Sequence, residues 1–157
     1  KSKNTPSAIA LSRQKLPYIN PKLSDENICK KGAYVVKILS HNNKVTLVAS
    51  GSEVELALKV HDMLKVNNIT SKVVSMPCQE LFEKQSEKFK KDILDEESLI
   101  VTIEAGNVSS WKKYLGGKGL SFGIDRFGES APYKEIYNHF NLTSNKIVNL
   151  IQKTLRK

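Results

Sequence analysis

Between residues 33 and 103, apolar side chains come in short, nearly unbroken runs, separated by stretches in which they recur every three or four positions. Val45-Thr46-Leu47-Val48-Ala49 is one such run, bounded by His41–Lys44 before it and Ser50-Gly51-Ser52 after it. A segment this short and this apolar is expected of a strand covered on both faces. Ala33–Leu39 reads as a strand before it. Ser71–Met76 reads as another after it, stopped by Pro77, which has no N–H to offer a ladder. Between the second and third runs, Val54, Ala57, Leu58 and Leu64 fall near helical spacing, and Ser52–Glu55 has the Ser-x-x-Glu form in which each side chain bonds the other residue's backbone N–H. A helix is therefore predicted from Ser52 to the Asn67-Asn68 stop. Strand, helix and strand make a βαβ unit, whose right-handed crossover sets the two strands parallel and lays the helix on one sheet face.

The pattern then repeats more loosely. Leu81–Leu94 carries helical spacing at Leu81, Phe82, Phe89, Ile93 and Leu94; Leu99–Ile103 is strand-like; Val108–Leu115 predicts a short helix, ended by Gly116-Gly117-Lys118-Gly119. Leu120–Ile124 reads as a final strand. Pro132–Phe140 and Thr143–Leu155 read as helices, with Pro132 suited to the first helical position and Thr143 to the N-cap. At the other end, Ala8–Leu11 reads as a short buried strand that breaks into Ser12-Arg13-Gln14-Lys15, and Asn20–Lys31 reads as a linker opened by the turn signal Asn20-Pro21. The class is α/β with a mostly parallel sheet.

Composition narrows the functional classes. At 157 residues and 39% hydrophobic, the chain fits one ordinary domain with a sizeable core. No apolar run approaches the roughly 18 residues of a membrane span, and the N-terminus lacks the apolar core of a signal peptide. Cys29 and Cys78 are far apart in sequence, which fits a reducing compartment better than a disulfide framework. His41, His61 and His139 have no metal-ligand spacing. The net charge of +9 points first to an anionic partner. Lysine far outnumbers arginine, however, and is spread over nearly every segment without aromatic interleaving, so a solvated lysine-rich surface is preferred to a nucleic-acid interface.

Open α/β sheets bind ligands beyond the carboxyl ends of their strands. Ser50-Gly51-Ser52 would offer helix N-terminal N–H groups to an anion, or Ser52 simply caps its helix. Gly116-Gly117-Lys118-Gly119 lacks the spacing of a phosphate loop and reads as a helix stop. Glu104, at a strand end, is either a general base or, with no nucleophile or histidine identifiable beside it, a hydrogen-bonded structural carboxylate. Asp125 and Arg126 either contact a substrate or anchor their own loop. Trp111 reads as a packing residue. These residues alone do not make a catalytic site.

Taken together, Ala10-Leu11-Ser12-Arg13-Gln14, Val48–Val54, Val73–Pro77 with Phe82 and Gln85, Glu104-Ala105-Gly106 and Gly123–Pro132 resemble the C-terminal part of transketolase, with Phe127-Gly128-Glu129-Ser130-Ala131-Pro132 the most telling run. Deoxyxylulose-phosphate synthases and the beta subunits of 2-oxoacid dehydrogenases share the domain but not this combination. Ala33 stands where a second glycine is common. The resemblance implies residues 1–19 as the tail of a preceding pyrimidine-binding domain, 20–31 as a linker and 32–157 as the C-terminal domain, a three-layer sandwich with about five strands between helices. A start at Lys1 agrees with a piece of a longer polypeptide. In the family the arginine of Leu-Ser-Arg-Gln helps bind the substrate phosphate, a role that falls on Arg13.

The complete enzyme moves a two-carbon ketol unit between sugar phosphates in the pentose phosphate pathway. It uses thiamine diphosphate with Mg²⁺ or Ca²⁺, held by the two preceding domains. This chain is therefore expected to hold no cofactor, metal or catalytic residue of its own, and neither Glu104 nor His139 is given a role at the thiazolium. The implied partners are the other domains and a second subunit in a cytoplasmic homodimer, without nucleic acid or membrane. The alternative is a regulatory module binding phosphate or a nucleotide at the strand ends near Ser50–Ser52.

Overall fold

The computed structural model describes residue 4 and residues 6–12, 14–19 and 27–156. Each of the apolar runs between residues 34 and 122 forms a strand: β1 (Tyr34–Ile38), β2 (Val45–Ala49), β3 (Ser71–Ser75), β4 (Leu99–Ile103) and β5 (Leu120–Phe122). They pair in the order β1-β3-β2-β4-β5. β3, β2, β4 and β5 are parallel; β1 alone runs antiparallel, on the edge of β3, with a register shift between Val35 and Lys37. The helices are α1 (Glu53–Val66), α2 (Gln79–Glu83), α3 (Glu87–Leu94), α4 (Tyr133–His139) and α5 (Ser144–Leu155), with 3-10 turns at Ile28–Lys31 and Ser109–Tyr114.

The strand alternation builds two cores. Val45, Leu47 and Ala49 of β2, Val73 of β3 and Leu99, Val101 and Ile103 of β4 pack against Ala57, Val60 and Leu64 of α1 and Ile147, Val148 and Ile151 of α5. Val48, Val74 and Ile100 face the other way, onto Phe82, Ile93, Leu94, Trp111 and Tyr114. Helices thus cover both faces, and the three-layer α/β expectation holds. Polar residues inside the sheet are paired, as burial requires: Thr46 with Ser98 and Thr102 with Ser121, both at 2.7 Å, and the Lys72 ammonium donates to the Asp92 carbonyl at 2.9 Å. His61 on α1 meets the Ser71 hydroxyl through Nδ1 at 2.8 Å, and burial pushes its pKa below the ordinary histidine value.

Several local expectations are corrected. The Ser52–Glu55 capping box does not form. Ser52 has a helical backbone (φ −65°, ψ −29°) and makes no capping bond, because its hydroxyl donates instead to the Glu53 carboxylate at 2.7 Å and Glu55 pairs with Lys59 at 2.5 Å. The single helix expected over Leu81–Leu94 is two, since the Ser86 hydroxyl accepts the Phe89 N–H at 3.3 Å and starts α3 afresh. Val108–Leu115 holds a 3-10 turn rather than an α-helix. Pro132 precedes α4 instead of beginning it, and Thr143 takes the N-cap position of α5 with an extended backbone but no side-chain bond. Ala8–Leu11 pairs with none of the five strands, and Ile9 and Leu11 are exposed. Within the expected linker, residues 20–26 lie outside the described residues, and Ile28–Lys31 form the 3-10 turn capped by Asn27.

Gly32 closes that turn with φ +83°, and a Cβ on it would lie 2.3 Å from the Phe82 nitrogen and 2.4 Å from the Cys78 carbonyl oxygen. A left-handed backbone costs an L-residue roughly 1–2 kcal/mol before any clash is counted. Gly32→Ala is therefore expected to lower the free energy of unfolding in urea by at least about 2 kcal/mol. Gly128→Ala, at a glycine with nothing within 4 Å of the added methyl, should stay within about 0.5 kcal/mol of the parent.

Candidate functional site

The order of the strands creates a switch point. From β2 the chain crosses by α1 to β3 on one side, whereas β4 flanks β2 on the other and leads outward to β5. Such a reversal opens a crevice beyond the carboxyl ends of the two middle strands, where doubly wound sheets take their ligands. In this chain the crevice is tied across. The Ser50 hydroxyl, just past β2, donates to Glu104 Oε2, just past β4, at 3.1 Å. Glu53, at the start of α1 and 4% exposed, accepts the Ser52 hydroxyl at 2.7 Å and the Tyr137 hydroxyl of α4. Two strand ends and two helices therefore meet on a pair of carboxylates.

Burial, reinforced by the charge of Glu53, raises the Glu104 pKa above the ordinary glutamate value, while hydrogen bonds with Ser50 and Trp111 oppose the rise. Burial also pushes the Tyr137 phenol well above its usual range, and its hydrogen bond to the Glu53 carboxylate adds to the shift, so Tyr137 is a permanent donor. Tyr114 plays the same part on the other face, donating to Glu83 at 2.6 Å.

The space left beside this network is a crevice of about 380 Å³, lined among others by Ser50, Pro77, Glu80, Glu104, Ser110 and Trp111. It holds the carboxylates of Glu80 and Glu104 and no lysine, arginine or histidine, so it repels a phosphate or diphosphate. Among the described residues there is also no group of three or more His, Cys, Asp or Glu side chains able to hold a metal ion. The residues present therefore do not fit thiamine diphosphate with its metal. The regulatory-module alternative at Ser50–Ser52 is not supported, because the Glu53 and Glu104 carboxylates hydrogen-bonded to those serines would repel an anion.

The other sequence candidates separate. Asp125 anchors its loop, Oδ1 accepting the Val108 N–H at 3.1 Å, beside the Ile124 N–H bond to the Gly106 carbonyl at 2.8 Å. Arg126 Nη2 lies 3.0 Å from His139 Nε2, and its guanidinium sits 4.8 Å above the Phe140 ring. Trp111 is a packing residue, edge-on to Tyr114. Gly116–Gly119 is a helix stop, the Gly119 N–H returning to the Leu115 carbonyl at 3.0 Å. This loop lines a larger cavity of about 870 Å³ at the opposite end of the sheet, with Lys44, Ser98 and Leu155. Arg13 lies outside the described residues. Sequence reasoning missed Glu53 and Tyr137, which are 84 residues apart. The one available signal was an acid in the first turn of a predicted helix.

A family model for the transketolase-like C-terminal domain matches residues 32–143. The chloroplastic transketolase of Solanum tuberosum is 42% identical over 151 residues, which cover 93% of this chain and 20% of that protein. Transketolase of Rhodobacter capsulatus is 39% identical over 160 residues, 98% of this chain and 24% of that protein. The structure of Pichia stipitis transketolase in complex with sedoheptulose 7-phosphate superposes with a TM-score of 0.81 at 32% identity, over 92% of this chain and 20% of that one. The chain spans about a fifth of the length of the curated relatives it matches. Among the described residues no helix is long and apolar enough to cross a membrane.

The raised pKa of Glu104 has a definite sign in stability. A carboxyl that holds its proton more tightly when folded contributes fully below its unfolded pKa, and that contribution is lost as pH rises through the folded value. Glu104→Gln, which keeps an oxygen for Ser50, is expected to unfold at higher urea than the parent at pH 7, with the difference closing as pH falls to about 4. Equal urea midpoints of the two proteins across that range would contradict the assignment.

Proposed function

The chain belongs to the transketolase-like C-terminal domain family, and we propose that it serves as that domain of a complete transketolase whose catalytic centre is built by other polypeptide. The observation that carries this reading is the family-model match over residues 32–143 together with relatives about five times as long as the chain. The switch point supports it. A crevice tied across by Ser50–Glu104, with a second buried carboxylate beside it, is suited to holding a domain together rather than to receiving a sugar phosphate.

In the complete enzyme the proposed reaction is transfer of a two-carbon ketol unit between sugar phosphates, with thiamine diphosphate and Mg²⁺ or Ca²⁺ held by the preceding domains. The proposed division is residues 1–19 as the tail of the pyrimidine-binding domain, 20–31 as linker and 32–157 as the C-terminal domain, in a cytoplasmic homodimer. Arg13 is proposed to bind the substrate phosphate, since a guanidinium makes paired charge-assisted hydrogen bonds to phosphate oxygens. The similar Pichia stipitis transketolase, solved in complex with sedoheptulose 7-phosphate, supports the substrate class.

Two measurements test this. The purified 157-residue chain, given xylulose 5-phosphate, ribose 5-phosphate, thiamine diphosphate and Mg²⁺, should show no turnover and no calorimetric binding of the cofactor; either activity would overturn the proposal. In the full-length enzyme, Arg13→Ala should raise KM for phosphorylated substrates about 10- to 100-fold, as loss of a charge-assisted contact implies, with far less effect on an unphosphorylated ketose. Equal effects on both would remove Arg13 from the phosphate site.

A further inference from the structure

Phe127 is 96% exposed, more than any other large apolar side chain among the described residues. It does not hang from a loose end. The loop that carries it is braced at its base by the Asp125 bond to the Val108 N–H, the Ile124 bond to the Gly106 carbonyl and the packing of Arg126 on His139 and Phe140. Beyond that base, residues 125–135 are all exposed, and they include Ala131, Pro132 and Tyr133. The neighbouring Gly128 has open space on its side-chain face, which leaves room for another surface to approach the backbone. A braced loop presenting a whole phenyl ring to water is a poor arrangement for an isolated domain and a good one for a docking contact.

We infer that Phe127 seats this domain on the polypeptide that precedes it in the complete enzyme, its ring filling an apolar pocket there and the Gly128–Pro132 backbone lying against the rim. The inference rests on the reading that this is one domain of a longer transketolase. The choice of occupant follows from the same comparison. The matching family is a C-terminal domain, and about four-fifths of the relatives' length lies outside the matched segment. That polypeptide is covalently joined to the domain, so it meets the loop at the high effective concentration of an intramolecular contact, whereas a second copy has to associate first.

Hydroxyl-radical footprinting of the full-length enzyme tests this, with the fully buried Phe82 as the internal standard of equal intrinsic reactivity. Phe127 is expected to oxidise within about twofold of Phe82; oxidation ten times faster would overturn the inference. Dilution through subunit dissociation identifies the occupant. Protection that persists supports the preceding polypeptide, and protection that vanishes assigns the ring to a second copy and overturns it. Phe127→Asp should speed amide exchange at residues 126–131 at least tenfold without changing β2 and β4, whereas Phe127→Leu should keep the protection. Unchanged exchange in Phe127→Asp also overturns it. Ketol transfer by the wild-type enzyme, measured separately, reports on the proposed function and leaves these readouts independent.

Discussion

Everything in this fold depends on β2 being buried from both sides. Val45, Leu47 and Ala49 point into one helical layer, and Thr46 and Val48 into the other; all five residues are inaccessible to water. A strand with two hidden faces must have its neighbours in ladder contact on both edges, or its backbone N–H and C=O groups would be stranded in an apolar medium. β3 and β4 supply those edges in parallel register, residue for residue. The two core layers and the central place of β2 in the sheet follow from that one requirement.

The segments that the apolar pattern identified are those for which burial leaves no alternative. β2 and β4 were legible as short, nearly continuous apolar runs bounded by turn residues, and β3 as Val73-Val74 followed by the Pro77 stop. The extent of α1 was legible from its spacing, even though its expected cap was wrong. Ser52 and Glu53 are adjacent, and the shorter reach to Glu53 wins the hydroxyl. The break between α2 and α3 hides in a sequence whose apolar positions keep helical spacing across it, because Phe82 and Phe89 pack on each other from separate helices at 6.2 Å. Nothing local marks β1 as antiparallel: it pairs with β3, reached by a loop that bonds Leu39 and Lys44 onto Ser71 and Thr70.

The site was legible in position and not in content. Strand ends at Ser50 and Glu104 follow from the class of fold, but their hydrogen bond spans 54 residues, and the Tyr137–Glu53 contact spans 84. Such pairings are set by which helix lies over which strand, a fact about packing that no local spacing carries. Asp125 shows the same limit. Beside an arginine in a loop it has the composition of a ligand site, and its actual partner is the backbone of Val108.

The carboxylate pair explains why this switch point is unsuited to an anion. Glu53 is buried and Glu104 partly so, and each accepts hydroxyl groups: Ser52 and Tyr137 for one, Ser50 for the other. Removing any of those donors would leave a desolvated charge, which costs more than the hydrogen bond itself contributes. An anionic ligand entering the crevice would have to displace these donors and face both charges. The Ser50, Ser52 and Tyr137 hydroxyls are thus paired within the domain, and the most exposed large apolar side chain beyond the strand ends is the Phe127 ring on its braced loop. A domain whose crevice is lined by carboxylates and whose most exposed large apolar side chain stands on a braced loop is built to be held by a neighbour rather than to hold an anion.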